Sequence, residues 1–238
     1  MSPVPPRTRT RRPKIPTPER MRELRDALRS YYGVPHNEPH QAPLDELVLT
    51  VLSQNTNDRN RDVAYARLRD RFPDWEAVAH APGAQVEEAI RPGGISKVKA
   101  GRIKAMLGAI EAERGSLDLG FLAEAPREEA LAFLERLPGV GRKTAACVLL
   151  FSFDRPELPV DTHVYRVASR LGLIRPRASF EEAHDVMRGA TDPADVFELH
   201  VNLIRHGRRL CSARAPACPE CPLLEICPYG RRAVRRRG

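Results

Sequence analysis

The segment Leu-Pro-Gly-Val-Gly-Arg-Lys at residues 137–143 joins two stretches of helical apolar periodicity. One proline and two glycines make the connection tight, so two helices must meet at this point. The second helix then carries Lys143 in its first turn, where unpaired backbone N–H groups suit a phosphate. Taken alone, the turn is typical of a plain helix–turn–helix connection, and Lys143 of a solvated lysine or a phosphate contact.

Helical periodicity recurs along the chain, whereas alternating strand patterns are scarce. The pattern predicts an all-α protein of short helices, with Asp58 and Asp161 as candidate caps of the helices that follow them. The predicted helices cover residues 21–32, 44–53, 59–71, 75–79, 85–90, 97–114, 127–136, 143–153, 162–171, 180–189 and 196–207.

The net charge of +8 lies mostly at the two ends of the chain. Residues 1–20 and 229–238 carry most of the excess arginines, and we interpret both as disordered basic tails that attract nucleic acid. Improved solubility is the alternative. Within the body, residues 91–104 contain five basic side chains and no acid, which predicts a local positive patch.

No apolar stretch is long enough to cross a bilayer, and the N-terminus lacks the apolar core of a secretory signal. The sequence therefore predicts a soluble cytoplasmic protein with no membrane partner, associated with the nucleoid if bacterial.

Four of the five cysteines fall close together with the spacing C-x6-C-x2-C-x5-C, and they are Cys211, Cys218, Cys221 and Cys227. In an intracellular chain such a group is more often a metal site than a disulfide framework. Zinc and an iron–sulfur cluster compete. The single C-x2-C pair and the prolines after three of the cysteines favour [4Fe–4S]. Cys147, in an apolar helix, is interpreted as a small buried hydrophobic residue.

Together these features resemble the helix-hairpin-helix DNA glycosylase superfamily and, within it, the endonuclease III family. The resemblance is carried by residues 137–145, by Val-Asp-Thr-His-Val at 160–164 and by the four-cysteine loop, and it extends from about residue 21 to residue 227. Hairpin turns of this kind occur in many DNA-binding proteins. The three motifs in this order are much more specific.

The resemblance implies two helical lobes with DNA in the groove between them. Residues 44–155 would form a six-helix barrel, with the helix-hairpin-helix at 128–153. Residues 21–43 and 156–238 would form the [4Fe–4S] cluster lobe, ending in the basic tail at 229–238, while residues 1–20 form the other tail. The partner would be double-stranded DNA that carries a damaged base or an abasic site, bound by a monomer.

The resemblance also implies the chemistry, which is removal of oxidised pyrimidines followed by β-elimination at the abasic site. Lys143 would attack C1′ of a flipped nucleotide as a neutral amine, a form favoured by the helix N-terminus and by desolvation. Asp161 would stabilise charge on the sugar and relay protons. His163 would orient the loop by hydrogen bonding.

Further residues are assigned to DNA. The turn would bind a phosphate through Gly139, Gly141 and Arg142, helped by a monovalent cation on its carbonyls. Ile95 resembles the side chain that family members wedge into the base stack. The other inserting loop holds Gln54 and Asn55, and the sequence leaves open which of them reaches the orphaned base and which opposite base is preferred.

Two alternatives to a bifunctional glycosylase remain. A monofunctional mismatch glycosylase would lack a nucleophilic lysine at position 143, and a non-catalytic DNA-binding scaffold would not need Lys143 paired with Asp161. The motifs do not rank lesions, and they leave open a redox role for the cluster, which glycosidic cleavage does not require.

Overall fold

The structure, a computed structural model, describes residues 16–36 and 42–236. It is all-helical, with no β-strand in those ranges, and the predicted fold class is confirmed. The helices are α1 (Pro18–Tyr32), α2 (Pro43–Ser53), α3 (Asp58–Arg71), α4 (Trp75–His80), α5 (Gly83–Ala89), α6 (Ser96–Arg114), α7 (Arg127–Arg136), α8 (Arg142–Phe153), α9 (Thr162–Leu171), α10 (Phe180–Ala190), α11 (Val196–Arg209) and α12 (Pro228–Arg235).

The described residues form two compact units. The first comprises residues 16–33, 162–192 and 202–236, and the second comprises 34–36, 42–161 and 193–201. The sequence predicts that residues 34–43, 156–161 and 193–201 belong to the cysteine-containing lobe, but the structure places residues 34–36, 42–43, 156–161 and 193–201 in the other unit.

The second unit has a continuous apolar core, supplied mainly by α2, α6, α7 and α8. α2 packs closely on α8, since Val48, Val51 and Leu52 of α2 and Val148 and Leu149 of α8 have no exposed surface. Burial of whole aliphatic side chains on this scale is the main source of stability for a helical unit. The core therefore holds the hairpin between α7 and α8 on a rigid base.

Two local predictions need correction. Asp58 is the first residue of α3, and the cap is Asn57, whose side chain accepts a hydrogen bond from the Asn60 backbone N–H (2.9 Å). The predicted disordered tail at 229–238 is largely the helix α12, which begins where Cys227 Sγ accepts from the Gly230 N–H (3.3 Å). Helical periodicity did not predict this helix, because its sequence is rich in arginine and contains few apolar residues.

Residues 1–15 of the predicted N-terminal tail and residues 237–238 lie outside the described residues. Within the described part of the chain, no helix is both long and apolar enough to cross a membrane.

Candidate active site

The hairpin forms as the sequence predicts, with α7 ending at Arg136 and α8 beginning at Arg142. Leu137 and Val140 are buried in the turn, and the Val140 N–H donates to the Leu137 carbonyl at 3.0 Å. Pro138 and Gly139, in contrast, are exposed. The turn is thus anchored by two apolar side chains and presents its proline and glycine to solvent.

Gly139 is required by the geometry of the turn. Its φ is +81°, and a Cβ atom at this position would lie 2.9 Å from Cδ of Arg102 on α6. Gly141 precedes α8, and its carbonyl accepts from the Ala145 N–H at 3.0 Å. The N–H groups of the first turn of α8 have no carbonyl in their own helix, which suits an anion. The predicted cation on this turn stays a prediction.

Lys143 is partly buried beside Glu46 of α2, Cys147 one turn along α8, and Asp161. Burial acts to lower its pKa, but these three neighbours outweigh burial and the net pKa is raised. In the DNA-free protein this shift favours the ammonium form of Lys143. A proton must leave Nζ before the amine can act as a nucleophile.

The Cys147 thiol and the two carboxyl groups differ in the charge that they place beside Lys143. Burial raises the pKa of the Cys147 thiol to about 11, so the thiol is neutral near pH 7. This fits its interpretation as a buried small residue, as it is 3% exposed. The negative charge that faces Lys143 at that pH comes from the carboxyl groups of Asp161 and Glu46.

Glu46 was missed by the sequence reasoning. It is 7% exposed, and Thr50 Oγ1 donates to its Oε1 at 2.9 Å. Burial raises its pKa, while Thr50 and the charge of Lys143 act in the opposite direction. An acidic residue within the apolar segment of α2, with Thr50 one helical turn later, was the available signal.

Asp161 directly precedes α9, the position from which a carboxylate can cap a helix, and its capping role stays a prediction. His163 lies in the first unit, where its Nδ1 is 3.0 Å from Nη2 of Arg166. The orienting role predicted for His163 stays a prediction.

The loop that follows α2 contains both candidate inserting residues, and they differ in their contacts. Gln54 Oε1 accepts from Nη1 of Arg102 (2.7 Å), and its Nε2 is 3.3 Å from the Gly139 carbonyl. Gln54 therefore connects this loop to the hairpin. Asn55 is exposed and has a φ of +53°, which turns it away from the helical path.

Ile95 precedes α6 with a φ of +48°, and its side chain is 55% exposed. A β-branched residue in the left-handed region is a genuine outlier, and conformations of this kind cluster at functional sites.

The predicted positive patch at 91–104 is only partly at the surface. Lys99 is 2% exposed, and Lys104 directs its Nζ to the carbonyls of Ala79 and Ala81. The sequence signal for Lys99 was its position on the apolar face of α6, one turn before Ile103. Arg142, which the sequence assigns to DNA, forms ion pairs within the protein. Its guanidinium lies 3.7 Å from Glu135 and 3.9 Å from Glu157.

In the first unit the cysteines predicted to bind metal line one pocket, and they are Cys211, Cys218, Cys221 and Cys227. Cys218 and Cys227 are each 8% exposed. Burial raises the pKa of Cys221 to about 11 and also raises the pKa of Cys227. Burial therefore disfavours the thiolate form of these two cysteines.

Two further residues at this pocket were not predicted. Arg170 places Nη1 3.2 Å from Cys211 Sγ and donates to the carbonyls of Ser212 (2.7 Å) and Ala213 (3.0 Å). His206 has Nε2 3.5 Å from Cys221 Sγ, and burial lowers its pKa to about 4, so it is neutral. In the described part of the chain, no three His, Cys, Asp or Glu side chains converge on a point where they could hold one metal ion.

Comparison with known proteins gives the family. Residues 48–191 match the model of the HhH-GPD superfamily base excision DNA repair proteins. The chain is 32% identical to endonuclease III of Sulfolobus acidocaldarius, over 77% of this chain and 80% of that protein. It is 33% identical to endonuclease III of Thermotoga maritima, over 86% of this chain and 89% of that protein.

Solved structures of DNA glycosylases also match the chain. A trapped endonuclease III–DNA covalent intermediate, in an estranged-adenine complex, matches with a TM-score of 0.79 and 30% identity, over 92% of this chain and 99% of that chain. A thermostable thymine-DNA glycosylase matches with a TM-score of 0.73, over 90% of this chain and 98% of that chain. Because the two sequences are only 18% identical, this match supports the fold alone. The chain therefore belongs to the HhH-GPD superfamily of base excision DNA repair glycosylases, with the endonuclease III proteins among its relatives.

Proposed function

We propose that the protein removes oxidised pyrimidines from double-stranded DNA and then cleaves the strand at the abasic site by β-elimination. The observation that carries the proposal is Lys143, in the first turn of α8 after the hairpin, with the carboxyl groups of Asp161 and Glu46 acting on it. The endonuclease III–DNA structure that this chain resembles is a trapped covalent intermediate, which supports covalent chemistry at the matching site. A monofunctional mismatch glycosylase would have no use for the lysine.

The reaction begins with loss of a proton from Lys143, since the DNA-free site holds it as a cation. Asp161 is the acceptor that the sequence motif favours, and it can return the proton to the departing base. The Nζ lone pair then forms a bond to C1′ while the glycosidic bond breaks and its electrons leave with the base. The added nitrogen then loses a proton, and its lone pair forms the C=N bond of a Schiff base with C1′. The C1′–O4′ bond breaks at the same time and O4′ takes up a proton, which opens the sugar ring.

The Schiff base makes the 2′-proton acidic. Removal of that proton places its electrons between C2′ and C3′ and expels the 3′-phosphate, which breaks the strand. The carboxylate of Asp161 can stabilise the cationic intermediates. Glu46 is the more buried of the two carboxyl groups and acts on the pKa of Lys143, while Asp161 serves the proton transfers.

A base in a duplex must leave the stack before Lys143 can reach its sugar. We assign Ile95 to the space that the flipped nucleotide vacates and Asn55 to the orphaned base on the other strand. Asn55 is favoured over Gln54 because Gln54 is held by Arg102 and Gly139, whereas Asn55 is exposed. The N–H groups at the start of α8 bind a phosphate next to the flipped nucleotide.

We further propose that Cys211, Cys218, Cys221 and Cys227 hold a [4Fe–4S] cluster. The four cysteines line one pocket, and their single C-x2-C pair and the prolines after three of them favour a cluster over zinc. When bound, the cluster would cross-link the residue 211–227 loop, and no catalytic step requires it.

Borohydride trapping tests the catalytic proposal. Reduction during incubation with a duplex that contains thymine glycol should leave a covalent protein–DNA adduct, because borohydride converts the Schiff base to a stable amine. Lys143→Ala should lose the adduct. Lys104→Ala removes another partly buried lysine and should keep it. An adduct that persists in Lys143→Ala would refute the assignment. Release of the base by the wild type without strand cleavage would favour a monofunctional enzyme.

The cluster proposal predicts a yellow-brown protein that contains about four irons per chain. Cys221→Ser should lose the colour, whereas Cys147→Ala should retain it because Cys147 lies in the second unit beside Lys143. A colourless protein that contains zinc would contradict the proposal.

A further inference from the structure

Lys99 of α6 is buried with all of its hydrogen-bonding capacity used. Its Nζ donates to the Leu52 carbonyl (2.6 Å), to Thr56 Oγ1 (2.7 Å) and to the Gly93 carbonyl (2.8 Å). An ammonium group has three N–H bonds, so each one has an oxygen acceptor. The side chain is 2% exposed, which excludes contact with DNA.

The three acceptors lie in or directly beside the two loops that carry Asn55 and Ile95. Leu52 lies in the last turn of α2 and Thr56 follows Asn55, and we call residues 54–57 the Asn55 loop. Gly93 lies two residues before Ile95, and we call residues 93–95 the Ile95 loop. Thr56 Oγ1 also hydrogen-bonds the Gly93 carbonyl, so the two loops meet directly at the point where Lys99 binds.

A lysine at this position is costly to the fold. All three acceptors are uncharged oxygens, and burial lowers the pKa of Lys99 because the ammonium has left water. The neighbouring positions on the same face of α6, Ile103 and Met106, hold fully buried apolar side chains. An apolar residue would therefore suit position 99 if packing were its only role.

The two loops need an external restraint, because both carry a residue in the left-handed region. Asn55 has a φ of +53° and Ile95 a φ of +48°. Such conformations persist only where the surrounding structure fixes them. The three hydrogen bonds of Lys99 supply that restraint from below the surface, while the Asn55 and Ile95 side chains stay exposed.

We propose that Lys99 is a positioning residue for nucleotide flipping, which holds the Asn55 loop and the Ile95 loop at a fixed separation so that both can enter the duplex together. The inference rests on the proposed function, in which these two loops insert into DNA. The hydrogen-bond acceptors of Lys99 are Leu52, Thr56 and Gly93, so its effect would reach the reaction through the two loops.

The inference predicts a loss that depends on the substrate. Borohydride trapping under single-turnover conditions is compared for an abasic site in a duplex and for the same site in a single strand. A single strand has no stack to open and no orphaned base to contact. Lys99→Met should slow trapping on the duplex by about tenfold or more, since small misplacements of positioning groups have effects of this size. Trapping on the single strand should stay within about twofold, because no insertion is needed.

Lys104→Met is the matched control. Lys104 lies on the same helix and also donates to two backbone carbonyls, but those belong to Ala79 and Ala81, away from both loops. This variant tests whether loss of a carbonyl-bound lysine from α6 is itself harmful. It should trap both substrates at wild-type rates.

Thr56→Val covers the case in which Lys99→Met does not fold. It removes one acceptor of Lys99 and the direct contact between the loops, and it should slow duplex trapping by about threefold without affecting the single strand. Equal losses on both substrates, or no loss on either, would overturn the inference. Failure of the wild type to form an adduct with either substrate would instead refute the proposed function.

Discussion

Two lysines of the second unit, one buried and one partly buried, differ in what surrounds them. Lys143 faces the carboxyl groups of Asp161 and Glu46, and its pKa is raised. Lys99 faces two backbone carbonyls and a hydroxyl, and its pKa is lowered by burial. Both use an ammonium group as a donor, but only Lys143 has acidic neighbours that can take part in its proton transfer.

The difference separates a reacting lysine from a positioning one. Carboxylates give Lys143 a stable charged state and a route by which the proton can leave, both of which an amine nucleophile needs. Fixed neutral oxygens give Lys99 a defined geometry and no partner that accepts its proton. Burial alone therefore does not identify a catalytic lysine, whereas the chemistry of its neighbours does.

The largest contrast is expected in the pH dependence of stability. The pKa of Lys143 is raised, so its contribution is complete below the ordinary lysine value of 10.5 and is lost as the pH rises through the raised pKa. The pKa of Lys99 is lowered, so its charge opposes folding below that pKa, and the penalty disappears as the pH rises towards 10.5.

Urea unfolding of the wild type, Lys143→Met and Lys99→Met at several alkaline pH values measures both effects. The stability of the wild type relative to Lys99→Met should rise with pH, while its stability relative to Lys143→Met should fall only above about 10.5. If the stability of the wild type relative to both variants changed with pH in the same direction, the distinction between the two lysines would be wrong.

A smaller effect is expected from Glu46→Gln. Loss of this negative neighbour lowers the pKa of Lys143, so more of the amine is neutral at a given pH and the trapping rate–pH profile moves towards lower pH. At pH 6 we expect a gain of about threefold in the chemical step. Glu135→Gln removes a carboxylate near Arg142 instead and should leave the profile in place. An unmoved profile in Glu46→Gln would show that Glu46 does not act on Lys143.

The smallest effect is expected from Cys147→Ala. The thiol contacts Lys143, but its pKa of about 11 keeps it neutral at physiological pH, so it adds no charge there. Trapping rates near pH 7 should stay within about twofold of the wild type. A loss of tenfold or more would mean that the thiol takes part in the reaction.

Local sequence signals predicted the hairpin well. Apolar periodicity gave the bounds of α7 and α9, and the glycine turn located the start of α8 within one residue. These features depend on residues a few positions apart, where helical period and turn chemistry act directly. The grouping of the four cysteines in one pocket follows from the same short range, since they span residues 211–227.

The parts that could not be predicted depend on long-range packing. Lys99 meets Leu52 across 47 residues of sequence, and Glu46 acts on Lys143 from a different helix. The basic stretch at 91–104 suggested a charged surface, but tertiary packing turned Lys99 inward. The pKa of Lys143 likewise includes a contribution from Glu46, which the motifs around Lys143 do not contain.

The central claim is that Lys143 forms the bond to DNA, and identification of the modified residue tests it most directly. The borohydride-trapped adduct is digested with a protease and a nuclease, and the peptide that carries the sugar remnant is sequenced by mass spectrometry. The account predicts modification of Lys143 alone. Modification of Lys97, Lys99, Lys104 or the N-terminal amine in its place would contradict it.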